Sequence, residues 1–265
     1  MTNITSPSNP MIKEIKSLYR KKDRWIKKRF IVEGINIVKE CIDNNYPVIN
    51  IIYSDELLDV KGGKELFNKI SSDPRTIHIP NKLYKEISNM ENPQGIMAVA
   101  EFRTNSIDKW DLKENSFLLL LDRLQDPGNM GTIIRTADAF GLDGIIVTEG
   151  CVDVYNPKVV RSTMGSIFRV PIYHEDDPIL AIRKLKTKGI KVYTTSLGGN
   201  IYTYEVNFKL PFLLVVGNES SGVSSSIYSV SDSLIKIPMI GDAESLNVAI
   251  ASSIVMYESL RQRSQ

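Results

Sequence analysis

The second half of this 265-residue chain alternates between two kinds of segment with a regularity that leaves few folds open. FLLLLD (117–122), GIIVT (144–148), RVPIY (169–173), KVYTTS (191–196), FLLVVG (212–217) and LIKIP (234–238) read as strands. Helical patterns near 130–140, 157–166, 178–188, 223–230 and 247–262 separate them. Strands that are apolar on both faces and spaced by helices predict a mostly parallel α/β sheet with helices on both faces. Ligands of such a sheet bind beyond the carboxyl ends of its strands.

The first hundred residues form a smaller α/β unit. Ile12, Ile15, Leu18 and Tyr19 recur at helical spacing, RFIVEG reads as a strand closed by glycine, and Ile35, Ile37, Val38 and Cys41 resume the helical period. VINIIYS (48–54), TIHIP (76–80) and GIMAVAEF (95–102) are further strands. The polar segment that follows lacks apolar periodicity, so the expected division is 1–103, a linker at 104–115, and 116–265.

Several classes are disfavoured at once. No apolar run approaches the roughly 20 residues of a membrane helix, and the polar start MTNITSPSNP does not resemble an export signal. Cys41 and Cys151 stand far apart without metal-ligand spacing, which suits buried reduced thiols in a cytoplasmic protein. His78 and His174 are isolated, no metal constellation is present, and GNMG lacks the spacing of a dinucleotide fingerprint. Net charge is only +2, but its distribution is uneven. Lys13, Lys16, Arg20, Lys21, Lys22, Arg24, Lys27, Lys28 and Arg29 face only Glu14 and Asp23 within the same stretch. This stretch is a candidate phosphate-contact surface, with a solvated helix face as the alternative. Trp25 and Tyr19 interleave with the charges, where they can stack on unpaired bases or be buried.

Three segments fall where the sheet should gather a ligand. After FLLLLD comes Asp126-Pro127-Gly128, then Asn129 as an expected helix cap, with Arg135 nearly two turns on. After FLLVV comes Gly217-Asn218-Glu219, with Glu219 able to accept from a ligand or from Arg135. After LIKIP a loop leads to Ser245-Leu246-Asn247 and a long apolar helix. A solvated arginine on a capped helix and ordinary strand-to-helix turns are the simpler alternatives. Amides, hydroxyls, one glutamate and arginines suit a site whose reactive group comes from a bound cofactor.

NMGTIIRTADAFG, VVGNESSGVS and IPMIGDAESLNVAIASSIVMYE resemble, in order, the three signature motifs of the SpoU (TrmH) family of RNA methyltransferases. RSTMGSIFRVP is similar to a further family segment, and ITSPSNPMIKEIKSL with RFIVEG resembles the substrate-binding domain often fused to it. The resemblance implies a trefoil-knotted methyltransferase domain, an exception to the general absence of knots, and a homodimer formed through it. It implies S-adenosyl-methionine held by Thr195, Ser196, Leu197, Gly198, Val216, Gly217, Asn218, Glu219, Gly222, Ile237, Met239, Ser245, Leu246, Asn247 and Ala249. Asn129, Arg135, Glu219, Ser245 and Asn247 match the catalytic positions, and Arg135 and Arg161 join the basic stretch as RNA contacts. The implied reaction is methylation of a ribose 2'-hydroxyl, foremost in large-subunit ribosomal RNA. Transfer RNA and a non-catalytic role in ribosome assembly are the alternatives.

Overall fold

The structure is a computed structural model and describes residues 2–103, 105–110 and 112–265. Thr104 and Asp111, in the expected linker, lie outside the described residues. Two compact units are present. One comprises Met1–Arg103 with Asp153–Phe168, the other Thr104–Val152 with Arg169–Gln265.

The first unit is built on a mixed sheet of β1 (Thr2–Asn3), β2 (Arg29–Glu33), β3 (Val48–Tyr53), β4 (Thr76–His78) and β5 (Ile96–Glu101), in the order β1-β4-β3-β5-β2. β4 runs parallel to β1 and β3, whereas β5 is antiparallel to β3 and β2. Period-two alternation divides β2 between two cores. Ile31 joins Ile52, Met97 and Val99 beneath the helices Pro10–Ser17 and Asn81–Ile87. Phe30 instead meets Tyr46, Phe102 and Tyr155, and the Phe102 and Tyr155 rings stack with centroids 3.8 Å apart. Tyr155 belongs to the excursion Asp153–Phe168, which a buried ion pair also anchors. Arg24 is 2% exposed and donates Nε and Nη2 to Asp153 Oδ2 at 2.9 and 2.6 Å. Its Nη1 serves the carbonyls of Leu18 and Tyr19.

The second unit holds seven strands, β6 (Phe117–Leu121), β7 (Gly144–Thr148), β8 (Ile172–Glu175), β9 (Lys191–Thr195), β10 (Ile201–Tyr202), β11 (Phe212–Val216) and β12 (Ser233–Lys236). All are parallel, in the order β10-β12-β9-β11-β6-β7-β8. The chain builds outward from β6 to β8, crosses to β9, and later fills the central position with β11, which is buried at every residue. On one face Leu118, Leu120, Leu213 and Val215 pack with Ala181, Ile182 and Leu185 of the helix Pro178–Thr187.

The strand expected at 169–173 begins later, at Ile172. Pro171 has no N–H to give, and the ladder opens there through its carbonyl, which accepts from Ile145 N at 2.9 Å. The short edge strands β1 and β10 were not expected, since two residues carry no readable period.

Candidate functional site

The carboxyl ends of β6, β9, β11 and β12 lie along one edge of the second sheet, and side chains from three of the following loops are hydrogen-bonded in series. Asp126 caps the helix Pro127–Ala139, its side chain accepting from Asn129 N at 2.7 Å, with Pro127 in the first turn. The cap expected at Asn129 therefore belongs to Asp126, whose place directly before proline suits it. The Asn129 side chain is left for other partners. Its Nδ2 donates to Glu219 Oε1 at 3.0 Å, and its Oδ1 accepts from Asn247 Nδ2 at 2.9 Å. Asn247 uses its own Oδ1 to cap the helix Val248–Arg263 through Ala249 N and Ile250 N. Burial raises the Glu219 carboxyl, but the donated hydrogen bonds of the Asn129 side chain and of the Glu219, Asp126 and Gln125 backbone outweigh it. The carboxyl consequently sits below its ordinary value.

Arg135 is not part of this series. It is exposed on the same helix, and its side chain makes no hydrogen bond or ion pair among the described residues. The contact anticipated between Glu219 and Arg135 is replaced by the one to Asn129.

The same edge opens into a cavity of about 990 Å³. Thr195 to Gly198 line it after β9, Val216 to Gly222 after β11, and Ile237, Met239, Ser245, Leu246 and Asn247 after β12. Ala249 does not line it, being buried in the helix that Asn247 begins. The second loop is a closed turn. Asn218 and Gly222 exchange two backbone hydrogen bonds, and Asn218 Oδ1 accepts from the Ser220 and Ser221 amides. A Cβ on Gly217 would lie 2.3 Å from Gly222 C and Val223 N, so glycine is required there by the loop's own backbone. Tyr202, Tyr204 and Lys236 line the cavity as well. Sequence reasoning missed them, although two tyrosines separated by a single residue offered a signal.

Among the described residues no group of His, Cys, Asp or Glu could hold a metal ion. No helix among them is long and apolar enough to cross a membrane. Cys41 and Cys151 are both buried and unpaired, and burial pushes the Cys41 thiol up to about 12.

Residues 116–257 match the SpoU rRNA Methylase family. The chain belongs to that family. Residues 9–98 of this SpoU methylase also match the MRM3-like substrate binding domain. It is 34% identical over 261 residues to the Bacillus subtilis 23S rRNA (guanosine(2553)-2'-O)-methyltransferase RlmP, covering 97% of this chain and 98% of the relative. It is 32% identical over 239 residues to the 23S rRNA (uridine(2479)-2'-O)-methyltransferase of Streptomyces viridochromogenes, covering 88% of this chain and 83% of that one. The SpoU methyltransferase AviRb from Streptomyces viridochromogenes, solved in complex with the cofactor AdoMet, superposes with a TM-score of 0.87 at 31% identity. That match covers 97% of this chain and 99% of the other. The second unit thus has the knotted, parallel α/β fold of the SpoU methyltransferases.

In the amino-terminal unit of this SpoU methylase the basic stretch divides. Lys13, Lys16, Arg20, Lys21, Lys22, Lys27 and Lys28 are exposed, and Arg29 is half-buried and paired with Glu14. Arg24, counted among the expected RNA contacts, is buried in its pair with Asp153 and belongs to the core. The burial alternative also describes Trp25, whose ring meets Phe102 and Tyr155 edge-on and carries Lys28 Nζ 4.7 Å from its centroid. Arg161 lies half-buried in the same unit, its Nη1 enclosed.

Proposed function

We propose that this protein is an S-adenosyl-methionine-dependent methyltransferase acting on a ribose 2'-hydroxyl of large-subunit ribosomal RNA. The observation that carries the reading is the series Glu219–Asn129–Asn247, which joins three sequence-distant segments by hydrogen bonds, with Glu219 and Asn247 lining one cavity. The named activities of the RlmP relative and of the Streptomyces viridochromogenes enzyme support the ribose and the RNA class.

The cavity suits the cofactor. Leu197, Val216, Ile237 and Leu246 offer apolar surface for a purine, while backbone groups of the glycine-containing turns and the Thr195 and Ser196 hydroxyls offer hydrogen bonds. Glu219, ionised at neutral pH, adds a negative charge opposite a cationic ligand. When bound, the cofactor supplies an electrophilic methyl group. The chain's own contribution is alignment, for which up to roughly 7–11 kcal/mol is available to well-placed reactants. Asn129, itself held by Asn247, fixes the Glu219 carboxylate, and Ser245 lines the same cavity as Glu219 and Asn247. Arg135, its side chain exposed and without a protein partner among the described residues, is the proposed contact to ribose or phosphate. An arginine stays protonated, so its proposed role is to stabilise the negative charge that develops on the 2'-oxygen as the hydroxyl proton leaves to solvent water, rather than to act as a simple base.

Residues 1–103, with their exposed lysines, are the proposed RNA-binding domain and residues 116–265 the proposed methyltransferase domain. A homodimer is proposed through the helix Val248–Arg263, on which Ile250, Ile254, Tyr257 and Leu260 recur at helical spacing and are all exposed. A cytoplasmic location follows from a ribosomal substrate.

The test is to map alkali-resistant linkages in ribosomal and transfer RNA from cells with and without the gene. A resistant position in large-subunit RNA that depends on the gene is expected; one in transfer RNA alone would redirect the substrate. Asn129→Ala should lower methylation by on the order of a hundredfold, the scale of a small misplacement of reacting groups. An Arg135→Lys variant with unchanged kinetics would remove Arg135 from the mechanism.

A further inference from the structure

Beside the proposed cofactor loops, the cavity has a wall that no motif accounts for. β10 ends at Tyr202, which pairs in register with Lys236 of β12. The Tyr202 and Tyr204 rings are nearly parallel, 9° apart with centroids at 5.3 Å. Lys236 Nζ stands 4.7 Å from the Tyr202 centroid and has no carboxylate within ion-pair distance among the described residues. The turn is anchored by two contacts. Thr203, between the two tyrosines in sequence, is buried, and Tyr202 N donates to Glu205 Oε2 at 2.7 Å. Tyr204 is nonetheless 60% exposed. A large aromatic ring kept in water on a fixed turn leaves a flat apolar surface uncovered.

We infer that Tyr204, backed by Tyr202 and Lys236, is a stacking platform for an unpaired base of the RNA substrate next to the nucleotide being methylated. The inference rests on the RNA methyltransferase reading above. Three features favour this occupant. Parallel aromatic faces accept any base regardless of sequence, and a nearby cation without a carboxylate partner attracts the backbone phosphate that accompanies it. The third is placement, since the platform lines the same cavity as the Glu219 and Asn247 end of the hydrogen-bonded series. A base stacked there would hold the strand within reach of that series. Two carboxylates of this cavity edge have other partners, Glu205 accepting from the Tyr202 amide and Glu219 from Asn129, and among the described residues no carboxylate forms an ion pair with Lys236.

The experiment uses the full chain and large-subunit ribosomal RNA from cells lacking the gene. Tyr204→Ala should raise the KM for RNA, and weaken RNA binding measured without methyl transfer, by roughly tenfold, within the range known for base–aromatic stacking. Tyr204→Trp should restore both. Lys236→Gln should flatten the salt dependence of RNA affinity by about 0.7 in the log–log slope, one single-strand phosphate contact. The affinity for S-adenosyl-methionine of the Tyr204→Ala protein, read by calorimetry, should match that of the unaltered chain. Unchanged RNA affinity in Tyr204→Ala overturns the platform. So does a loss of S-adenosyl-methionine affinity with RNA affinity intact, which would assign the ring to the cofactor, or a change from dimer to monomer, which would assign it to a second copy. A wild-type protein that makes no alkali-resistant linkage while Tyr204→Ala still weakens RNA binding would fail the enzymatic reading and keep the platform.

Discussion

Glu33 closes β2 with a carboxylate that is almost wholly enclosed. Oε1 accepts from the Tyr84 and Ser88 hydroxyls, while Oε2 has no hydrogen-bond partner. Burial pushes this carboxyl above its ordinary 4.5, against the opposing pull of those hydroxyls and of Arg161. Because the folded pKa exceeds the unfolded one, Glu33's contribution to stability is full below pH 4.5 and is lost as pH rises through the folded value. Glu33→Gln keeps the oxygen acceptor and removes the ionisation. Its Tm should exceed that of the unaltered chain above this window and converge with it at the acid end. A Tm difference independent of pH would show that the raised pKa is not the cause. Glu219 has the opposite sign, held below 4.5, so its contribution is present above that value and is lost as pH falls through the lower one. Neither environment was legible from local sequence. Arg24 makes the same point, since nothing distinguishes it from its eight basic neighbours until Asp153, 129 residues away, arrives to pair with it.

At the scale of elements, the turn after β11 is held by contacts that leave no room at Gly217. In a Gly217→Ala variant the new Cβ would meet backbone atoms of Gly222 and Val223, which cannot rotate away. The expected cost is about 1–3 kcal/mol, as for overpacked sites, together with weakened S-adenosyl-methionine binding. Denaturant unfolding and calorimetry measure the two, and a variant that binds the cofactor normally would separate the turn from the site. The strands were largely readable because runs such as FLLLLD and FLLVVG are apolar on both faces, and only a doubly covered parallel sheet accommodates that. The cap was misplaced by three residues because asparagine and aspartate are both good caps. The proline after Asp126 carried the deciding information. The meeting of Asn129, Glu219 and Asn247 was readable only as a shared sheet edge; their bonding order, and the exclusion of Arg135 from it, depends on side-chain positions that spacing does not encode.

For the whole molecule, the apolar stripe on the helix Val248–Arg263 sets a further expectation. Tyr257→Glu places a charge in the middle of the stripe, where Tyr257 is 56% exposed and can accept it without disturbing the fold. Sedimentation should show the unaltered chain as a dimer and the variant as a monomer; a dimeric variant would move the interface elsewhere. The division into units was less legible than the strands. Residues 153–168 read as one more turn of the strand–helix alternation, yet they pack with the first unit through Asp153, Tyr155 and Phe168. This has a consequence during synthesis. The first unit lacks the partner of Arg24 and part of its aromatic core until the ribosome has passed Phe168, well beyond Arg103. At roughly 5–20 residues per second, the nascent chain waits for seconds with a buried-type arginine exposed. Over that interval the first unit depends on the growing chain to finish it.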